Sequence, residues 1–294
     1  MTTLLLFQTL VSGIILGALY GLIGCSLTII YGTMRVVNFA HGDFVVAGCY
    51  APLVLLGLLG LNPLLSIPLV FIGFFGLGMA LYYLIMPRLR RADDPELASF
   101  LSFYGVSLMA GAAMLYFFDA DTRSLNYSFH PSVLHIAGLL IPTARVVALA
   151  AGLVLIALLT WFLYRTLPGK ALRATIMNPG AIGIIGVDIN RLSGLAFGMA
   201  IGLAAVTGVL IALVFPAFGP FSGMDFTLIG FVVIVLGGLG HPVGAILGGV
   251  FYGLAEQLSI LFLPQSLSPV VGFALLIGTV MLRPAGLFGR VGLR

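Results

Sequence analysis

The chain has 294 residues; 61% are hydrophobic, only 7% are charged, and the formal net charge is +4. Soluble domains carry roughly a quarter charged residues, so a globule of this composition has too few polar groups to cover its surface. A disordered chain and an ordinary cytosolic enzyme are both excluded, which leaves a membrane protein whose apolar surface faces lipid.

In chain order, the runs free of Asp, Glu, Lys and Arg are 1–34, 44–87, 97–118, 124–144, 146–164, 192–224, 226–255 and 257–282. A membrane helix needs about 20 residues. The first charge is Arg35, so the opening run has no basic flank and reads as a retained helix rather than a cleaved signal. Asn62-Pro63 divides the second run into two helices joined by a tight turn. The run 124–144 holds Asn126, His130, Pro131, Ser132, His135 and Pro142, and reads as a loop. Within 226–255, Gly237, Gly238, Gly240, Pro242 and Gly244 break the helix. Nine spans result, at about 8–31, 44–61, 64–86, 98–118, 143–164, 192–214, 226–239, 244–262 and 266–283. The short 226–239 span also reads as re-entrant, which gives eight. The alternating polarity of a membrane β-barrel is missing. The fold class is an all-α, polytopic helical membrane bundle, one domain over 1–294, with broken or re-entrant segments.

Arg35, Arg88, Arg90, Arg91, Arg165, Lys170, Arg173, Arg191, Arg283, Arg290 and Arg294 fall in one set of loops, and Arg123 and Arg145 in the other. The richer set belongs in the cytoplasm, with the N-terminus outside and the C-terminus inside. Basic residues so dispersed make no nucleic-acid patch. Cys25 and Cys49 lie in apolar runs and read as small buried hydrophobes.

Gly13, Gly17 and Gly21 form a small-residue stripe that lets helix backbones approach closely. Gly194, Gly198 and Gly202 repeat it. At an offset of 182, Phe39, Asp43 and Phe44 align with Phe221, Asp225 and Phe226. An inverted internal repeat, common in transporters, produces this pattern, and so does chance at this length.

Four places carry functional signals. Asn38-Phe39-Ala40-His41-Gly42-Asp43-Phe44 packs polar residues between two spans, so Asn38, His41 and Asp43 are candidates for a translocation pathway. Asp43 would otherwise pair with Arg35 or cap the helix starting at Phe44. The broken stretch with Gly237, Gly238, Gly240 and His241 is a second pathway element, since irregular backbone at membrane depth needs a protein or water lining. Glu256, about 18 Å along its helix from Gly244, is the acid placed deepest in a span. The inside segment 165–191 is long for a chain of short loops and suits docking of another protein, with Asp188 as a helix cap. Asn178-Pro179-Gly180 stops a short helix over 171–177. A phosphate-binding loop, a zinc-protease motif and a nucleophile elbow are all missing, so catalysis and a built-in ATPase are unsupported.

These places, with Arg283-Pro284-Ala285-Gly286-Leu287-Phe288-Gly289, resemble the LivH-type inner-membrane permease of branched-chain amino acid ABC importers. Order and spacing match over almost the whole chain. Asn-Phe-Ala-His-Gly-Asp and the terminal motif are specific together; the glycine-rich piece alone is weak. The resemblance implies the ABC importer permease fold in a bacterial inner membrane and a partnership with a second, LivM-like permease. It also implies two cytoplasmic ATPase subunits that use the ATP, and a periplasmic solute-binding protein; no cofactor is expected on this chain. The matching loop docks on the ATPases, which assigns Gly169, Lys170, Arg173, Asn178, Pro179, Gly186, Asp188 and Asn190 to that contact. Two features depart from the family pattern: Ile176-Met177-Asn178-Pro179-Gly180 replaces a polar, acidic run, and His241-Pro242 is an uncommon filling of the break. Both leave the substrate open among hydrophobic amino acids, urea, amides and aromatic acids. A self-contained channel or secondary transporter is the rival class, with Asp43, Asp225 and Glu256 as its sparse ionisable residues.

Overall fold

Long apolar runs become helices because a lipid environment leaves the backbone no other partner than itself. The computed structural model describes residues 3–89, 92–125, 127–136, 138–177, 186–264, 267–283 and 285–288. The elements are α1 (Thr3–Met34), α2 (His41–Leu59), α3 (Pro63–Leu89), α4 (Pro95–Phe118), β1 (Val133–Ile136), β2 (Leu139–Pro142), α5 (Thr143–Arg165), α6 (Leu167–Met177), α7 (Ile189–Val214), α8 (Gly223–Gly237), α9 (Pro242–Ser259) and α10 (Ser268–Leu282). Local chemistry sets their ends. The Asp94 side chain accepts from the backbone N–H groups of Glu96 and Leu97 and opens α4, with Pro95 in the first turn. Asp188 does the same for α7 through Asn190 and Arg191, as its sequence position suggests.

The span count is corrected. Among the described residues, seven helices are long and apolar enough to cross a membrane, the seventh being α8 with its leading turn from Pro220, against the eight or nine expected. The shortfall lies at the end of the chain. α9 carries Glu256 and Gln257 beside four glycines, which lowers its hydropathy. α10 has 15 residues, or about 22 Å, against a hydrocarbon core of about 30 Å. The stretch 124–144 also holds more order than a loop. Its strands pair antiparallel, Val133 with Pro142 through Ile136 with Leu139.

The helix ends gather at two faces. At the hairpin face, Gln8 donates to the Leu140 carbonyl, Asn62 to the Tyr127 hydroxyl, and Arg123 and Phe218 exchange backbone hydrogen bonds. At the opposite face, Tyr82 donates to Asn190, and α6 lies against the ends of α1 and α5. The N-terminus of α1 and the C-terminus of α7 therefore share one face, so these two helices run in opposite directions.

An internal repeat follows from the contacts. Gly13, Gly17 and Gly21 of α1 meet Leu254, Val250 and Ile246 of α9; Gly194 and Gly202 of α7 meet Tyr82 and Phe71 of α3, with Gly198 against Gly78 between them. Both pairs are antiparallel, and they exchange under α1→α7 and α3→α9. α2 crosses α7 at Gly48, and α8 crosses α1 at Gly230. α4 rests on α2 and α3, and α10 on α8 and α9. The sequence of contacts in α1–α4 thus recurs in α7–α10 with opposite orientation, and the third helix of each repeat packs on the first helix of the other.

Candidate functional site

The two repeats meet where α2 and α8 begin. α1 ends with Arg35 in the left-handed region (φ 52°) and the chain turns back at once. Asn38 and His41 are fully buried, so α2 starts inside the protein rather than at its surface. The Thr227 hydroxyl of α8 accepts from the Gly42 N–H (2.9 Å) and donates to the Phe39 carbonyl (3.1 Å). Gly223 lies so close to Asp43 that a Cβ there would overlap the carboxylate. Two helix N-termini, each the positive end of its dipole, face one another here, with Asp43 and Asp225 in their first turns. Asp43 neither caps α2 nor pairs with Arg35: the Ser107 hydroxyl of α4 donates to it at 2.5 Å. The His41 Nε2 sits 2.8 Å from the Ser26 hydroxyl of α1.

The glycine-rich break is a packed turn. Gly238 and Gly240 have φ of 96° and 78°, a region that L side chains rarely adopt, so glycine is required there. His241 caps α9 through Nδ1, which accepts from the Gly244 N–H at 3.2 Å. The terminal motif buttresses the turn: the Leu287 N–H donates to the Leu236 carbonyl, and Gly286 abuts Gly238. Gly240 also faces Ile176 of α6 and Gly32 of α1, which joins the break to α6.

α6 is amphipathic. Gly169, Leu172 and Thr175 are buried against α5 and the bundle, while Leu167, Lys170 and Met177 point outward. Arg173 turns back onto α5, where its Nε donates to the Leu163 carbonyl and its guanidinium stacks 3.9 Å above the Tyr164 ring. Asn190 is tied to Tyr82, Asp188 is spent on the cap, and Gly186 has φ 76°. Asn178 and Pro179 lie outside the described residues.

A cavity of about 520 Å³ opens at the hairpin face between α1, α8, α9 and α10. Glu256 lines it, as does Asp225; Asn38, His41, Asp43 and the glycine-rich turn do not. Tyr20 and Tyr252 line the cavity beside Glu256. Sequence reasoning missed Arg145, Ser107 and Thr227. Arg145 was visible as a basic residue on the sparse side, but its place at the cavity follows from a contact 133 positions away, to the Ser12 hydroxyl at 3.3 Å. Ser107 and Thr227 are single hydroxyls in apolar helices and give no periodic signal.

A family model for the permease component of branched-chain amino acid transport systems matches residues 9–280. The chain belongs to that family. It is 28% identical over 297 residues to the high-affinity branched-chain amino acid transport system permease protein BraD of Pseudomonas aeruginosa, covering 96% of this chain and 95% of that one. It is equally 28% identical to LivH of Escherichia coli K12, with the same coverage. A probable LivH of Methanocaldococcus jannaschii reaches 30% identity over 94% of this chain and 90% of the relative. No solved structure matches. The match spans both repeats, so the crossing at Gly42 and Gly223, the cavity and α6 all lie within the family's common region.

Proposed function

We propose that this chain is a permease subunit of an ATP-driven importer, carrying branched-chain or other hydrophobic amino acids through a bacterial inner membrane by alternating access. The family match across 9–280 carries this reading. A second, LivM-like permease completes the pathway, a periplasmic binding protein delivers the substrate, and two cytoplasmic ATPases supply the motion. ATP is hydrolysed by those partners and this chain is no enzyme. The N-terminus is periplasmic and the C-terminus cytoplasmic, in line with the excess of basic residues at the α6 face. The similarity to a probable LivM of M. jannaschii, 25% over 74% of this chain, supports a related second permease. The outward apolar and basic residues of α6 support docking at that helix.

A tagged chain extracted from its native membrane in mild detergent tests the reading. Co-purification of a second permease and two phosphate-loop ATPases is the expected result. Recovery of this chain alone, as a homo-oligomer that still moves solute in liposomes, would overturn it. The docking role has its own test in Lys170→Glu. Lys170 is exposed and Arg173 is engaged within the chain, so this substitution alters the outward face and leaves the α5–α6 contact intact. Uptake is expected to fall about tenfold with membrane insertion unchanged, because reversing a charge at an interface sets it against its former partner. Undiminished uptake would remove α6 from the docking surface.

A further inference from the structure

Two of the charges at the hairpin-face cavity stand where helix electrostatics does not favour them. Arg145 stands in the first turn of α5, the positive end of that helix. Its side chain donates to a neutral hydroxyl, Ser12, rather than to a carboxylate. Glu256 stands in the last turn of α9, the negative end, where an anion is disfavoured. Asp225 lines the same space and is solvent-exposed. Ionisable groups in or beside membrane spans are costly, and they persist where a ligand or pathway uses them. Apart from Ser222, Gln257 and the two tyrosines, the remaining wall is apolar, with Leu16, Phe226, Ile229 and Val232 in it. A volume of about 520 Å³ falls within the usual range for small-molecule sites.

These features describe a ligand with one cationic group, one anionic group and a compact apolar body. We infer that the cavity is a binding site within this chain for a zwitterionic α-amino acid with an apolar side chain. Glu256 and Asp225 receive the ammonium group, Arg145 the carboxylate, and the Leu16–Ile229–Val232 wall the side chain. Tyr20 lines the cavity beside Glu256 and borders the carboxylate end of the site. Charge-assisted hydrogen bonds at both ends of the ligand make the site selective against a molecule that lacks either group. This inference rests on the importer reading and locates, within one chain, a site that the reading leaves unplaced.

The assembled importer, reconstituted in liposomes, tests it with Arg145→Gln and Glu256→Gln, and with Arg145→Lys and Glu256→Asp as charge-keeping controls. Leucine uptake is expected to fall about tenfold or more in each glutamine variant and to recover in part in the controls, with co-elution of the partner subunits unchanged. A second measurement avoids altering the charges. Cys25 and Cys49 are buried, so a cysteine introduced as Ile229→Cys is the thiol a maleimide reaches. In the assembled importer without binding protein, leucine is expected to slow its labelling, whereas 4-methylpentanoate, which lacks the amine, and isoamylamine, which lacks the carboxylate, are not. A wild-type importer that moves no amino acid overturns the importer reading, and this inference with it. An importer that moves leucine while both glutamine variants match it overturns the inference alone. Equal protection by leucine and either analogue, or none by leucine, does the same.

Discussion

Single hydroxyl groups hold the centre of this molecule. Thr227 satisfies a buried N–H and a half-buried carbonyl at the start of α2, two groups that the turn after α1 takes out of any helix ladder. Valine has nearly the same shape and neither bond. Thr227→Val is therefore expected to leave Gly42 and Phe39 unsatisfied, at about 1–3 kcal/mol for each orphaned group. In detergent, its thermal midpoint should drop clearly, and Thr227→Ser should restore most of the loss. A midpoint unchanged by valine would mean that water or a shifted backbone serves those groups. Asp43 shows why such bonds are hard to read from sequence. Its neighbours suggest a cap or a pair with Arg35, both local. The structure instead gives it Ser107, 64 positions on, in a helix whose sequence is otherwise apolar.

Helices were the legible level, because a run of about 20 apolar residues has one stable form in lipid. Each of the nine expected spans coincides with a helix, displaced by a few residues at its ends. What the sequence withheld was the rank of the last two: polar residues inside α9 and the shortness of α10 take both below a full span. The hairpin escaped because four-residue strands are too short for a period of two to stand out. The glycine stripes were visible, but not what they faced. A Cβ on Gly17 would lie 2.6 Å from the Val250 Cα, against backbone that cannot move alone. A Cβ on Gly194 would lie 3.1 Å from the Tyr82 ring and from the Tyr83 hydroxyl, side-chain atoms that need give only a few tenths of an ångström. Gly17→Ala is thus expected to cost about 1–3 kcal/mol or more by overpacking, and Gly194→Ala distinctly less. Yields of monodisperse protein from matched membranes would rank the two. The opposite order would mean that α9 shifts more easily than an aromatic side chain.

At the scale of the molecule, the repeat makes its two faces equivalent in construction and different in state. Asp43 and Asp225 occupy matching places in α2 and α8. Asp225 looks into the open cavity, while Asp43 is buried and held by Ser107. On the α6 side, the space beside α2 is filled by Phe39, whose ring packs edge-on against Phe100 at 5.1 Å and Tyr104 at 5.8 Å. Among the described residues, the structure is therefore open beside α8 at the hairpin face and filled beside α2 at the α6 face. Because α1–α9 and α7–α3 exchange under the repeat, a rocking motion that closes one side has an equivalent that opens the other. Cysteines introduced singly as Phe39→Cys and Ile229→Cys in the assembled importer would report this. At rest, a membrane-impermeant maleimide should label Ile229→Cys quickly from the hairpin face and Phe39→Cys slowly from the α6 face. Nucleotide trapping should reverse both rates, and Ser107→Ala, which frees Asp43, should quicken labelling of Phe39→Cys even at rest. Rates that move together, or do not move, would rule out reciprocal gating. The cavity would then be a fixed vestibule, and the moving element would have to lie outside the two repeats.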